Sequence, residues 1–111
     1  MTLSKDLVAA SATPIILAIL QAEDSYGYAI IQKVQEISDH QIAWTDGMLY
    51  PVLHRLETAG FIESYWQDAD SGRRRKYYHI TVAGNEECAL LKQQWSVVQH
   101  ALQVLSQEHM E

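Results

Sequence analysis

Residues 44–63 read WTDGMLYPVLHRLETAGFIE. Leu49, Val52, Leu53 and Leu56 recur at spacings of three and four, the period of one helical face. Thr45 is the candidate N-cap and Gly60 the stop, at a position that commonly needs a left-handed backbone. Against that pattern stand Gly47 near the start and Pro51 inside, the two residue types least suited to a helix interior. Pro51 forfeits one backbone bond, in a first turn that Gly47 has already loosened. A short helix weakened at its front end is one that something must approach closely.

On the N-terminal side, residues 3–21 carry Leu3, Leu7, Ala10, Pro14, Leu17 and Leu20 or Gln21 on a helical stripe. Pro14 either kinks this helix or divides it in two, with Thr13 capping the second piece. The next segment, AEDSYGYAIIQKVQEIS, offers Asp24 or Ser25 as cap and predicts a helix ending near Asp39. Beyond Gly60 the pattern changes. FIESYWQ and RRRKYYHIT are rich in aromatic and β-branched residues and flank DADSG, which predicts a two-stranded hairpin turning at 68–72. Tyr77 and Tyr78 alternate across the second strand, so one packs inward and the other faces out. From Thr81, a cap candidate, a long helix runs to the end of the chain with Cys88, Leu91, Trp95, Val98, Leu102 and Leu105 on one seam.

Composition narrows the function classes. With 111 residues and 48% hydrophobic content the chain suits one small domain. No uninterrupted apolar run approaches the length of a membrane helix or belongs to a signal peptide, so a cytoplasmic protein without membrane partners is expected. One cysteine, Cys88, makes no internal disulfide, and the five histidines show no ligand spacing, so neither a metal nor another cofactor is expected. No nucleophile–base pairing and no phosphate-cradling glycine loop is present, which argues against an enzyme. The net charge of −6 excludes a chain that coats nucleic acid indiscriminately, yet four of the eight basic residues are consecutive: Arg73, Arg74, Arg75 and Lys76.

Three helices, a hairpin tipped with arginines and a long final helix describe a winged helix-turn-helix, mainly α with a small β-hairpin (α+β). Residues 1–80 would form the DNA-binding domain, with residues 1–21 also contributing to a dimer interface, and 81–111 a C-terminal dimerisation helix. The third helix would enter the major groove of double-stranded DNA by its N-terminal end, with the wing along the phosphates. Gly47 would let the backbone near DNA; Tyr50, His54 and Arg55 are the polar side chains best placed to reach it. Arg73 to Lys76 would neutralise phosphates.

The runs Gly47-Met48-Leu49-Tyr50-Pro51-Val52-Leu53-His54-Arg55-Leu56-Glu57, Ser71-Gly72-Arg73-Arg74-Arg75-Lys76-Tyr77-Tyr78 and Thr81 with Gly84, together with Gly60, Ile62, Trp66 and Tyr26-Gly27-Tyr28, closely resemble the PadR family of bacterial transcriptional regulators. The resemblance implies a homodimeric repressor of the small type, which includes multidrug-sensing members. It places Met48 in the DNA-facing set, although a serine or threonine is common there and Met48 brings no hydroxyl. Asp46 adds a carboxylate that suits the helix dipole but opposes phosphate. Tyr26 and Tyr50 either donate to phosphate, as family members do, or fill the joint between helices two and three. Trp95 matches the tryptophan that faces its symmetry mate across an apolar pore and stacks on aromatic effectors, with Val98 and Leu91 beside it. Leu3, Leu7, Leu91, Trp95, Val98, Leu102 and Leu105 are the expected dimer contacts. Trp44 and Trp66 are expected to be packing residues. The rival reading is a winged-helix adaptor that docks a protein partner without binding DNA.

Overall fold

The computed structural model describes residues 2–109 and contains α1 (Lys5–Ala22), β1 (Ser25–Tyr26), α2 (Gly27–Ile37), α3 (Asp46–Thr58), β2 (Ile62–Asp68), β3 (Arg74–Ile80) and α4 (Val82–His109). This is the α+β winged-helix arrangement expected; the final two residues of the predicted last helix lie outside the described residues.

Each boundary has a local cause. Ser4 caps α1, its hydroxyl accepting from the Leu7 amide at 3.1 Å. The helix then runs unbroken through Pro14, so neither a second helix nor a cap at Thr13 exists. The lost bond is outweighed because Ala12, Ile16, Leu17 and Leu20, on both sides of the proline, are all buried. By length and composition alone α1 passes for a membrane-crossing helix, with a mean hydropathy of 1.3, a weak signal that the core helix of a globular domain gives equally. Its buried face is instead part of the domain core.

Thr45 caps α3 as expected, accepting from the Met48 amide at 3.3 Å, and Gly60 closes it at φ +82°. Thr81 joins two elements: its hydroxyl accepts from the Gly84 amide at the start of α4 and donates to the Gly60 carbonyl at 2.7 Å. The start of α2 differs from expectation. Neither Asp24 nor Ser25 caps it; Tyr26 holds that position without a side-chain bond. Ser25 and Tyr26 form a third strand instead, pairing antiparallel with Tyr78 and Tyr77 in a sheet of order β1-β3-β2. α2 closes through left-handed Asp39 and His40, at φ 53° and 65°, the His40 amide donating to the Gln35 carbonyl at 2.8 Å.

Leu49, Leu53 and Leu56 of α3 meet Ile16, Leu17 and Leu20 of α1, Ile30 and Val34 of α2, and Ile62, Tyr78 and Ile80 of the sheet. Trp44 and Cys88 complete this core. α4 joins it only through its first turns. From Trp95 to His109 every residue is exposed, and the molecule stretches to 61 Å on its long axis.

Candidate nucleic-acid interface

Burying Leu49, Leu53 and Leu56 turns the opposite face of α3 outward, so Gly47, Tyr50, His54 and Arg55 are exposed. Helical spacing splits them into two flanks. Tyr50 points to the wing and lines one concavity with Tyr26, Gly27, Tyr28, Trp66 and the basic run 73–76. Arg55 lies on the other flank, in a hollow with Thr13, Pro14, Phe61, Glu87 and Leu91. Met48 is half-buried against the core. The concavity therefore gathers Tyr26, Tyr50 and the four basic residues, while Arg55 and Met48 stand apart from it.

The wing alternates with period two, and each face has its own chemistry. On the outward face, register places Tyr26, Tyr77 and Tyr65 in a row across all three strands. The Tyr26 and Tyr77 ring centroids are 5.2 Å apart; Tyr65 and Tyr77 stack at 5.7 Å. Arg75 extends this row, its guanidinium 4.6 Å from the Tyr26 ring centroid, a cation–π distance. Tyr26 thus fills the joint between the wing and the start of α2, and orients an arginine as it does so.

At the base of the same face, the Tyr65 hydroxyl donates to Asp24 Oδ2 at 2.6 Å, and His79 Nδ1 lies 2.7 Å from Asp24 Oδ1. The Tyr65 hydroxyl, then His79, hold the Asp24 carboxyl below its ordinary 3.8. The same bond pushes the Tyr65 hydroxyl from 10.0 up to about 12. This clasp ties the α1–β1 link to the wing.

The inward face carries Ile62, Ser64 and Trp66 on β2 opposite Ile80, Tyr78 and Lys76 on β3. Ile62, Tyr78 and Ile80 are buried. Burial, then the charge of Glu57, pushes the Tyr78 hydroxyl above its ordinary range. Trp66 corrects the expectation of a packing residue: it is 57% exposed because the hairpin outruns the core. Arg74 lies 5.3 Å over its ring. Alternation alone, counted against where the core must end, would have exposed this tryptophan.

Away from the wing, the exposed apolar side chains of α4 include Leu90, Trp95, Val97, Val98, Leu102, Val104 and Leu105. Trp95 borders a shallow apolar groove with Pro14, Ile15 and Ala18 of α1. Val98 and Leu91 lie outside that groove, and Leu91 packs against the domain core. Leu7 is exposed and Leu3 half-buried. No group of three or more His, Cys, Asp and Glu side chains among the described residues is arranged to hold a metal ion.

The family model of PadR-like transcriptional regulators matches residues 16–90. An uncharacterised protein of Lysinibacillus sphaericus is 32% identical over 87% of this chain and 89% of its own length. Among solved structures, a PadR-like transcriptional regulator of Bacillus cereus superposes with a TM-score of 0.81 at 30% identity, covering 93% of this chain and 98% of the other. A transcriptional regulator of Clostridium thermocellum gives the same TM-score and identity, over 88% and 95%.

Proposed function

Because this chain belongs to the PadR-like family of transcriptional regulators, whose members are regulators rather than enzymes, we propose that it is a homodimeric DNA-binding repressor working in the cytoplasm. The observation that carries the reading is the single concavity in which the front of α3, the start of α2 and the basic wing converge. A duplex laid there would meet Gly47 and Tyr50 at its groove edge and Arg73, Arg74 and Arg75 along its phosphates. Trp66 joins this set through its exposed ring beside Arg74.

Residues 81–111 serve as the dimerisation helix, a reading supported by the large apolar side chains that α4 leaves exposed, since extended exposed apolar surface marks interaction sites. Two recognition helices about 34 Å apart would then read an inverted repeat. An aromatic or hydrophobic effector entering beside Trp95 would release DNA by favouring a dimer whose recognition helices no longer match that spacing.

The decisive experiment is a fluorescence-anisotropy titration with duplex cut from DNA upstream of the protein's own reading frame. Retention that weakens steeply with salt is expected, since bound phosphates release counterions. No retention at low salt would favour the rival adaptor reading, which the acidic surface and Asp46 support.

A further inference from the structure

The four basic residues of the wing are not equivalent. Arg73 and Arg75 have no carboxylate in ion-pair range among the described residues, and Arg75 rests on Tyr26. Arg74 lies 3.9 Å from Asp68, but those side chains are 67% and 79% exposed, so water and salt screen the pair and phosphate can replace it. Lys76 differs. Its ammonium lies 3.9 Å from Glu57 Oε1 with side chains only 40% and 33% exposed. The carboxylate is also held in place, because its other oxygen accepts the Ser64 hydroxyl from β2.

We propose that Glu57 is a positioning residue that keeps Lys76 out of the phosphate contacts and so restrains indiscriminate DNA binding. The inference rests on the DNA-binding reading above. Glu57 is in the last turn of α3 and Lys76 on the inward face of β3, lining the same concavity, so one ion pair both braces the wing against the recognition helix and holds one cation of that surface back from phosphate. An acidic protein with a concentrated basic spot needs sequence-independent affinity low enough for base contacts to discriminate, and each cation engaged adds to that affinity whatever the sequence. A carboxylate fixed by Ser64 cannot swing away when phosphate arrives. Lys76 must therefore leave Glu57 unpaired or remain where it is.

The test is anisotropy on a scrambled 30-base-pair duplex, for wild type, Glu57→Gln, Lys76→Gln and the double variant. Glutamine keeps an oxygen for Ser64 and removes only the charge. Glu57→Gln is expected to bind more tightly at low salt and to steepen the slope of log K against log salt by about 0.9, an additional loss of roughly 3.5-fold between 50 and 200 mM. Lys76→Gln alone should leave the wild-type slope unchanged, and the double variant should return to it. An unaltered slope in Glu57→Gln, or a slope flattened by about 0.9 in Lys76→Gln alone, would overturn the inference while leaving DNA binding intact. Should Glu57→Gln fail to fold, the Lys76→Gln arm still decides. Failure of the wild type to bind any duplex would instead remove the reading beneath it.

Discussion

Gly27, Gly47 and Gly84 show how one residue type carries three different constraints. A Cβ at Gly84 would press into the Phe61 carbonyl oxygen and its carbon, backbone that has nowhere to move. Gly84→Ala should therefore destabilise the fold by about 1–3 kcal/mol, measured by urea unfolding. A Cβ at Gly27 would first meet the hydroxyl end of Tyr50, whose exposed ring can swing aside. Gly27→Ala should leave the unfolding midpoint nearly unchanged yet weaken DNA binding, because it displaces a side chain of the concavity. Gly47 has open space, with Thr45 Oγ1 the nearest neighbour at 3.9 Å. Alanine there should stabilise the free protein by up to about 1 kcal/mol through helix propensity. If Gly47 exists for close approach by DNA, affinity falls while stability rises, a split that packing alone does not produce. The poor helix residue at the front of α3 was legible from spacing, and so was the closing Gly60. The tyrosine over Gly27 was not, because that contact joins two helices whose relative placement no local pattern encodes.

Among the elements, the hairpin and the helix starts at Thr45 and Thr81 could be read directly, since both threonines do what their positions predict. β1 could not. Two residues beside a glycine carry no periodicity, and their partners on β3 lie about fifty positions along the chain. What fixes that strand is tertiary: the Tyr26–Tyr77–Tyr65 row and the Asp24 clasp. The clasp has a pH signature whose sign follows from the two shifts. The Asp24 carboxyl is held below its ordinary 3.8, so its contribution is present above that value and fades as pH falls through the lowered one. Tyr65 is raised from 10.0 to about 12, so its contribution is present below pH 10 and fades as pH rises towards 12. Melting temperature against pH should show both limbs in the wild type; Tyr65→Phe should diminish the alkaline one, to which the raised Tyr78 hydroxyl still contributes, and weaken the acid one. At the wing tip, replacing Arg73, Arg74 and Arg75 with alanine should weaken binding to every duplex, flattening the salt slope by about 0.9 for each phosphate no longer neutralised. His54→Ala should instead alter the ratio between duplex sequences.

For the molecule as a whole, α4 sets the terms. Its 28 residues span about 42 Å, and most of them are exposed. A heptad-like seam was visible in the sequence. Its division of labour was not, since Cys88 and Leu91 on the same stripe serve the domain core whereas Val98, Leu102 and Leu105 lie open. That division separates two variants. Leu102→Glu with Leu105→Glu places charge on the open seam without disturbing the buried one, so each subunit should stay folded by circular dichroism while sedimentation shifts from dimer to monomer. DNA affinity should fall by about a hundredfold or more, because a second recognition helix tethered to the first binds at high effective concentration and a lone one does not. Trp95→Ala, which opens the groove against Pro14, Ile15 and Ala18, should leave the dimer standing while reducing the affinity of a planar aromatic probe followed by its own fluorescence. Dissociation of the Trp95→Ala protein would make that ring an anchor of the pair rather than a wall of a ligand site. A wild type that sediments as a monomer at micromolar concentration would leave the exposed face of α4 unexplained and the paired recognition helices without a scaffold.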